Sequence, residues 1–316
     1  MLDILSTTAP IYLAIAVGYL AARFGLFDKA DLHLLGKYVI NIALPAMLLD
    51  ALTRDRFEDV LNTGYLIAYA AGSLLCLVLA LHWARRLAPD EPGAQAYIAM
   101  GMVFSNSGYV GFPVMLMALP SVAGVALALN VLVENVLLLP LALSLTNRQE
   151  ARTMSPWGPW AAIGSTLFGL RKNPIILSIL VALTLSLLEI ELPSPLSRTS
   201  VLFAQASSAI ALFTIGGTLH GIPLRELGAR VGAITAGKLL LHPLCIWLAL
   251  TVCTLAGLPP LPSDLRLALL LTGTLPIMSI YPLLGMRHGH EKFCAAALLT
   301  TTILSFLTLS GLLALG

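Results

Sequence analysis

The amino-acid sequence predicts an all-α polytopic membrane protein, and composition is the first observation behind that fold class. The chain has 316 residues, of which 58% are hydrophobic and only 11% are charged, and its mean hydropathy is +0.90. A soluble domain of this length could not shield so much apolar surface from water. The second observation is that the apolar residues form long stretches separated by short polar segments, which is typical of helices that cross a bilayer.

About ten stretches approach the ~20 residues that a helix needs to cross ~30 Å of hydrocarbon. These predicted spans run over roughly 4–23, 32–52, 60–83, 94–118, 121–146, 173–192, 199–219, 229–256, 265–286 and 291–314. Loops after odd-numbered spans carry twelve lysines and arginines, whereas loops after even-numbered spans carry four. Because cytoplasmic loops are enriched in these residues, we expect a multi-pass protein of the cytoplasmic (inner) membrane with both termini on the outer side.

The longest connection, residues 147–172, divides the chain near its middle. Trp157, Trp160 and its basic ends favour a linker that lies at the cytoplasmic interface. Five spans precede this linker and five follow it, so the two halves have opposite orientations. The expected organisation is therefore a five-helix repeat at 1–146, the linker, and a second, inverted five-helix repeat at 173–316.

Two of the predicted spans are interrupted by residues that weaken a helix. Span 4 contains FSNSGYVGFP, with Ser105, Asn106, Ser107, Gly108, Gly111 and Pro113 inside an apolar run. Span 9, its counterpart in the second half, contains TGTLPIMSIYP, with Gly273, Pro276 and Pro282. Unpaired backbone groups are tolerated at membrane depth only where they face protein or a wet cavity. Matched interruptions in two halves therefore indicate a transport site.

Four motifs in order, NIALPAMLL, SNSGYVGFPV, KLLLHP and TLPIMSIYPL, resemble the auxin efflux carrier family, which includes plant PIN exporters and bacterial malate and malonate permeases. RKNPII and SSAIALFTIGGTL are similar to the bacterial branch. The resemblance implies ten helices in two inverted repeats, with broken helices 4 and 9 crossing at mid-membrane. It also implies that Pro113 and one of the span-9 prolines mark the crossing. The implied function is secondary active transport of a small malonate- or malate-like anion by alternating access.

A small carboxylate has several candidate ligands in this arrangement. Backbone amides that follow Ser105–Gly108 and Thr272–Thr274 begin half-helices, whose N-termini attract anions. Asn41 precedes Pro45 by four residues, so its carbonyl lacks an intrahelical donor and is available with the side chain. The predicted substrate-binding residues are Asn41, Ser105, Asn106, Ser107, Gly108, Lys238 and Thr274, and the predicted helix breaks are at Pro45, Gly111, Pro113, Gly273, Pro276 and Pro282.

Lys238 and His242 lie deep in span 8. A lysine at this depth is costly unless it faces protein or a cavity, so Lys238 either attracts a substrate carboxylate or forms a structural ion pair. His242 follows one turn later on the same face. It either accepts a proton or bonds backbone carbonyls that Pro243 leaves free.

Glu134 lies near the centre of span 5, with Asn130 one turn before it. A buried carboxylate is paired or neutral. With Asn130 and His242 it is a candidate coupling site for H⁺ or Na⁺, and the alternative is that Glu134 is a structural partner of Lys238 or of the broken-helix backbone.

Other classes of protein fit the sequence less well. The histidines do not form HExxH, the serines lack a GxSxG setting, and the four cysteines show no metal-ligand spacing, so we expect no catalytic residue, metal or cofactor. The expected partners are the organic anion and the lipid bilayer, and a homodimer is compatible with the sequence. A net charge of +2 argues against nucleic acid. The alternative functions are an auxin-like monocarboxylate exporter and a ligand sensor on a transporter fold.

Overall fold

The computed structural model describes residues 2–53, 61–146, 164, 168–222, 228–286 and 288–315, and the regular structure in these ranges is helical. Most of the predicted linker at 147–172 lies outside them. The helices are α1 (Leu2–Arg23), α2 (Lys29–Tyr38), α3 (Leu44–Leu52), α4 (Thr63–Leu87), α5 (Pro92–Val103), α6 (Phe112–Ala118), α7 (Ala123–Leu132), α8 (Leu139–Thr146), α9 (Pro174–Leu187), α10 (Ser194–Leu219), α11 (Ala229–Ala236), α12 (His242–Leu255), α13 (Ser263–Thr274), α14 (Tyr281–Met286) and α15 (Glu291–Leu315).

Six continuous helical segments of the described chain are long and apolar enough to cross a membrane. They are Lys29–Leu52, Thr63–Leu87, Ala123–Thr146, Ser194–Leu219, Ala229–Leu255 and Glu291–Ala314. Two shorter apolar helices, Ala9–Arg23 and Pro174–Leu187, accompany them. The predicted spans 4 and 9 are each divided in two, because α5 stops at Val103 and α13 stops at Thr274. The described chain is therefore all-helical, with helices of the length and composition of membrane-spanning segments.

Four helical segments contain a π-helical turn that the sequence analysis did not predict. The turns are Val39–Ala43, Ser107–Gly111, Val133–Leu138 and Gly237–Leu241. Each ends two residues before a proline: Pro45, Pro113, Pro140 or Pro243. Proline has no backbone N–H and clashes with the carbonyl four residues before it, and the residue preceding each proline donates to the carbonyl five residues back. The wider turn accommodates the proline without ending the helix.

The helices pack into two bundles. In the first bundle, α1, α2 and α3 pack against α10, and α9 packs against α3. A methyl group at Gly18 would collide with the backbone carbonyl of Phe213, so α1 and α10 are in direct backbone contact. The second bundle contains α4–α8 and α11–α15, with α4 packed along α5 and α12.

Contacts between the bundles are sparser than contacts within them. They involve α3 and α9 with α7, α1 with α6 and α15, and α10 with α6 and the turn Ser107–Gly111. Two hydrogen bonds between described residues cross from one bundle to the other. The Tyr109 hydroxyl donates to the Gly36 carbonyl at 3.0 Å, and the hydroxyls of Tyr12 and Ser305 are 3.4 Å apart. The two bundles are thus distinct packing units.

Candidate functional site

The two interrupted segments meet in the second bundle. We call residues 104–108, the interruption and the first two residues after it, the first break, and residues 272–280, the end of α13 and the interruption after it, the second break. The Ser105 hydroxyl donates to the Thr272 carbonyl at 2.8 Å. The Asn106 backbone N–H donates to the Pro276 carbonyl at 2.9 Å, and the Asn106 side-chain amide donates to the Ser279 hydroxyl at 2.8 Å. Residues predicted from two distant parts of the sequence therefore form one site.

Glycines allow the close approach of the chain segments at this crossing. A methyl group at Gly111 would lie 2.6 Å from Cδ1 of Leu275 in the second break. A methyl group at Gly273 would lie 2.7 Å from Cα of Pro243 at the start of α12. Both positions lack room for a side chain, so their glycines are needed for packing rather than for an unusual backbone conformation.

Lys238 is fully buried and connects the two breaks. Its ammonium donates to the Ser105 hydroxyl and the Gly273 carbonyl, both at 2.9 Å, and lies 2.8 Å from Nδ1 of His242. The carbonyl of Gly273 belongs to the C-terminal turn of α13, where a helix has unpaired acceptors and a partial negative charge. The helix end thus provides acceptors and a favourable potential for the buried cation.

His242 continues this chain of hydrogen bonds. Because the Lys238 ammonium has only donors, Nδ1 of His242 accepts from it, which assigns the ring proton to Nε2. That nitrogen lies 3.1 Å from the Ser73 hydroxyl of α4. Ser73 thereby holds the imidazole ring in place.

Glu134 lies on the opposite side of the first break. Its Oε1 accepts hydrogen bonds from the Ser107 hydroxyl at 2.6 Å and the Tyr69 hydroxyl at 2.9 Å, and the residue is 7% exposed. Both Glu134 and Lys238 lie in the described chain, and no direct ion pair joins them. The first break separates them instead, with Ser105 bonded to the cation and Ser107 bonded to the carboxylate.

Asn130 belongs to the same buried network. It accepts from the Tyr65 hydroxyl and donates to the Thr272 hydroxyl, both at 2.8 Å. The Thr274 hydroxyl instead donates back to the Leu271 carbonyl of its own helix at 2.8 Å.

Asn41 lies outside this cluster. Its side chain is exposed and donates to the Lys37 carbonyl at 2.7 Å. Pro45 follows the π-helical turn Val39–Ala43 inside a continuous helical segment. Pro282 lies in the first turn of α14, where a missing N–H costs no helical hydrogen bond.

The start of the helical segment 107–118 has two backbone amides without acceptors in the described chain. The amides of Val110 and Gly111 donate to the Asn106 carbonyl at 3.1 and 2.8 Å, and the Tyr109 amide donates to the Asn106 side chain at 3.3 Å. The amides of Ser107 and Gly108 remain. Two free amides at the positive end of a helix form an anion-binding geometry.

Gly108 gives this amide pair access to the boundary between the bundles. It is partly exposed, and a methyl group there would lie 3.1 Å from Cδ1 of Leu44 in the first bundle. A cavity of about 330 Å³ lies at the same boundary, lined in part by Met47, Phe112 and Gln205. Gly108 thus lies at the junction between the two packing units.

Three residues of α4 complete the network and were missed by sequence reasoning. Tyr65, Tyr69 and Ser73 contact Asn130, Glu134 and His242, respectively. They are spaced four residues apart, which places them on one face of a helix. That polar stripe in an otherwise apolar span was the available signal.

At the ends of the apolar segments, an ion pair connects the starts of α5 and α11. The Arg230 guanidinium bonds both oxygens of the Glu91 carboxylate, with Nη1 3.1 Å from Oε2. These hydrogen bonds hold the pKa of the Glu91 carboxyl below its usual 4.5.

Apolar helices with a buried polar crossing between broken segments define an integral membrane transporter. The chain belongs to the membrane transport protein family, which matches residues 3–313 and is the auxin efflux carrier family that the motifs resemble.

Two named relatives match nearly the whole chain, and a third matches about a third of it. It is 28% identical to a putative malonate transporter of Rhizobium meliloti over 317 residues, covering 99% of this chain and 96% of the relative. It is 24% identical to the uncharacterized transporter YfdV of Escherichia coli K12 over 306 residues, covering 96% and 94% of the two chains. An uncharacterized transporter of Methanothermobacter thermautotrophicus is 26% identical over 110 residues, 34% of this chain and 36% of the relative.

Proposed function

We propose that this protein is a secondary active transporter that carries a small carboxylate, malonate or a close analogue, across the cytoplasmic membrane. The observation that carries the proposal is the pair of free amides at Ser107 and Gly108, at the positive end of the segment 107–118. A carboxylate has two oxygens that accept such amide donors. The name of the Rhizobium meliloti relative supports malonate as the first substrate to test.

The site supports binding of an anion without a cationic side chain in direct contact. The Lys238 ammonium is occupied by Ser105, His242 and Gly273, so it acts as a fixed positive charge behind the first break. Asn106 holds the breaks together and caps the helix segment. We therefore assign substrate contact to the amides, and positioning to Asn106, Ser105 and Lys238.

The proposed topology has ten crossings. The six long apolar segments, the two shorter apolar helices and the two interrupted segments supply that number. We place two inverted five-helix repeats at 1–146 and 173–316 around a cytoplasmic linker, with both termini outside. The distribution of lysine and arginine supports this orientation.

Transport would proceed by movement of the second bundle, which holds the whole crossing, against the first. Few hydrogen bonds join the bundles, and Gly108 lies at their boundary. Such an arrangement exposes the substrate alternately to either side of the membrane.

The test is malonate counterflow in proteoliposomes with purified protein. Gly108→Ala should reduce exchange at least ten-fold, because the added methyl group would lie against Leu44 and narrow the approach to the amides of Ser107 and Gly108. Gly232→Ala is the matched control, since a methyl group at Gly232 has no neighbour within 4 Å. Wild-type exchange in Gly108→Ala would disprove the site assignment. Exchange of indole-acetate but not malonate would favour a monocarboxylate exporter, and malonate binding without exchange would favour a sensor.

A further inference from the structure

The hydrogen bonds around Glu134 are unevenly distributed over its two carboxylate oxygens. Both hydroxyl donors, Ser107 and Tyr69, bond Oε1. No described residue donates to Oε2, although the residue is almost completely buried. Oε1 is thus saturated with donors, and Oε2 is the oxygen with room to carry a proton.

The proposed substrate site is directly connected to this carboxylate. Ser107 contributes its amide to the anion-binding pair and its hydroxyl to Glu134. A bound carboxylate and an ionised Glu134 would place two negative charges at the start of one short helix segment. In a low-dielectric interior, neighbouring like charges disfavour each other's ionised form. Protonation of Glu134 removes this repulsion.

The other groups that face Glu134 do not replace that proton. Tyr65 and Tyr69 of α4 are neutral hydrogen-bond donors, and His242 accepts a hydrogen bond from Lys238. Lys238 carries the positive charge in this cluster, and the first break lies between it and Glu134. The Lys238 ammonium therefore balances only one of two negative charges, that of Glu134 and that of the substrate carboxylate group bound at the amides.

We propose that Glu134 is a proton-coupling site that takes up one H⁺ with each substrate molecule that is transported. The inference rests on the proposed function and extends it by naming the coupling ion. Uptake of the proton from the side where the substrate enters forms one O–H bond at Oε2, and the same bond breaks when both leave on the other side. The negative charge of Glu134 is neutralised in the loaded state and restored in the empty one.

The geometry favours H⁺ over Na⁺. The two hydroxyls next to Glu134 direct their hydrogens at its Oε1, so the described contacts place donors, and not further oxygen ligands, against this carboxylate. A proton needs a single oxygen, whereas a metal cation needs several converging ones.

The experiment measures two quantities on the same proteoliposomes: malonate counterflow at equal pH, and malonate uptake driven by an inward H⁺ gradient. Glu134→Gln keeps the shape and removes the ionisable oxygen. We expect counterflow within about three-fold of wild type and complete loss of acceleration by the gradient. Glu91→Gln is the matched control, because it removes a carboxylate far from the crossing, and it should keep both activities.

The outcomes separate the two proposals. Wild-type protein without malonate counterflow contradicts the proposed function and this inference together. Counterflow with gradient-driven uptake that persists in Glu134→Gln, or wild-type uptake driven by Na⁺ and not by H⁺, overturns the inference alone.

A second variant covers the case in which Glu134→Gln does not fold. Tyr69→Phe removes one donor to Oε1 and should move the pH of half-maximal malonate uptake by at least half a pH unit. Tyr12→Phe, whose hydroxyl bonds Ser305 outside the cluster, should not move it. An unchanged pH profile in Tyr69→Phe also overturns the inference.

Discussion

The two broken helices satisfy their backbone groups in opposite ways. In the first break, Ser105 and Asn106 act as donors through their side chains and the Asn106 amide. In the second, the carbonyls of Thr272, Gly273 and Pro276 act as acceptors. Each break thus provides what the other lacks, and neither would be stable alone in an apolar environment.

This difference also separates the two buried charges. Lys238 lies at the C-terminal end of α13, where a helix end favours a cation. Glu134 lies at the N-terminal end of the segment 107–118, where a helix end favours an anion. The amides of Ser107 and Gly108 have no acceptor among the described residues, and this is why we propose anion binding at the first break.

The largest expected effect is that of Lys238→Met on the second break. The substitution leaves the Gly273 carbonyl and Nδ1 of His242 without a donor, and each buried unpaired group costs about 1–3 kcal/mol. We expect a loss of at least ~2 kcal/mol in stability and no malonate counterflow. Thermal unfolding in detergent measures the first quantity.

Lys37→Met is the matched control for that substitution, because Lys37 is an exposed lysine in α2, and it should change stability by under ~0.5 kcal/mol. Equal melting temperatures for the two variants would show that Lys238 does not stabilise the crossing.

Gly111→Ala and Gly108→Ala distinguish packing at the crossing from access to it. The methyl group at Gly111 would lie 2.6 Å from Leu275, a fully buried side chain, and overpacking of this kind costs about 1–3 kcal/mol. The methyl group at Gly108 would lie 3.1 Å from Leu44, which requires a smaller adjustment. We expect Gly111→Ala to lower the melting temperature more, and Gly108→Ala to reduce malonate exchange with the smaller loss of stability. The reverse order would contradict the assignment of the two glycines.

Tyr109 and Tyr281 provide a matched pair of hydroxyls, one in the segment after each break. Tyr281 donates to the Tyr97 carbonyl at 2.7 Å inside the second bundle, whereas Tyr109 bonds the Gly36 carbonyl across the bundles. We expect Tyr281→Phe to cost ~1 kcal/mol of stability and to leave the turnover rate nearly unchanged. Tyr109→Phe should alter the turnover rate, because that bond breaks when the bundles move. Unaltered exchange kinetics in Tyr109→Phe would indicate that the contact does not limit this motion.

The smallest expected effect concerns the ion pair of Glu91 and Arg230. Here too a donor from one helix bonds an acceptor of another, but the pair is exposed to solvent. The pKa of Glu91 is below its usual 4.5 in the folded protein, so the pair adds stability above that pH and loses it as the pH falls through the lowered value. Glu91→Gln should therefore lower the melting temperature slightly at pH 7, and by less as the pH falls through the lowered pKa of Glu91. A difference that does not shrink as the pH falls would contradict the electrostatic origin, and 1 M salt should reduce the effect at pH 7.

Much of the candidate site was predictable from local sequence. Ser105–Pro113 and Gly273–Pro282 identified the two interruptions, because glycine and proline act on the backbone of their own helix. The spacing of Lys238 and His242 places them on one face of the same helix, and in the structure their side chains are 2.8 Å apart.

Other features depended on residues far apart in the chain. Lys238 donates to Ser105 and Gly273, and Tyr69 donates to Glu134. The partners in these hydrogen bonds lie far apart in the chain, and the sequence does not show which of them pack together. The π-helical turns were also missed, because a proline alone predicts a kink and not the hydrogen-bond shift by which the helix continues.

The sequence by itself determined that this protein is helical, apolar enough for a membrane, and broken at two points, since composition, periodicity and proline chemistry act locally. Only the tertiary structure decided that the first break donates, that the second accepts, and that Lys238 and Glu134 lie on opposite sides of residues 105–107. Buried polar groups must find partners wherever packing brings them, and that choice depends on the arrangement of all the helices together.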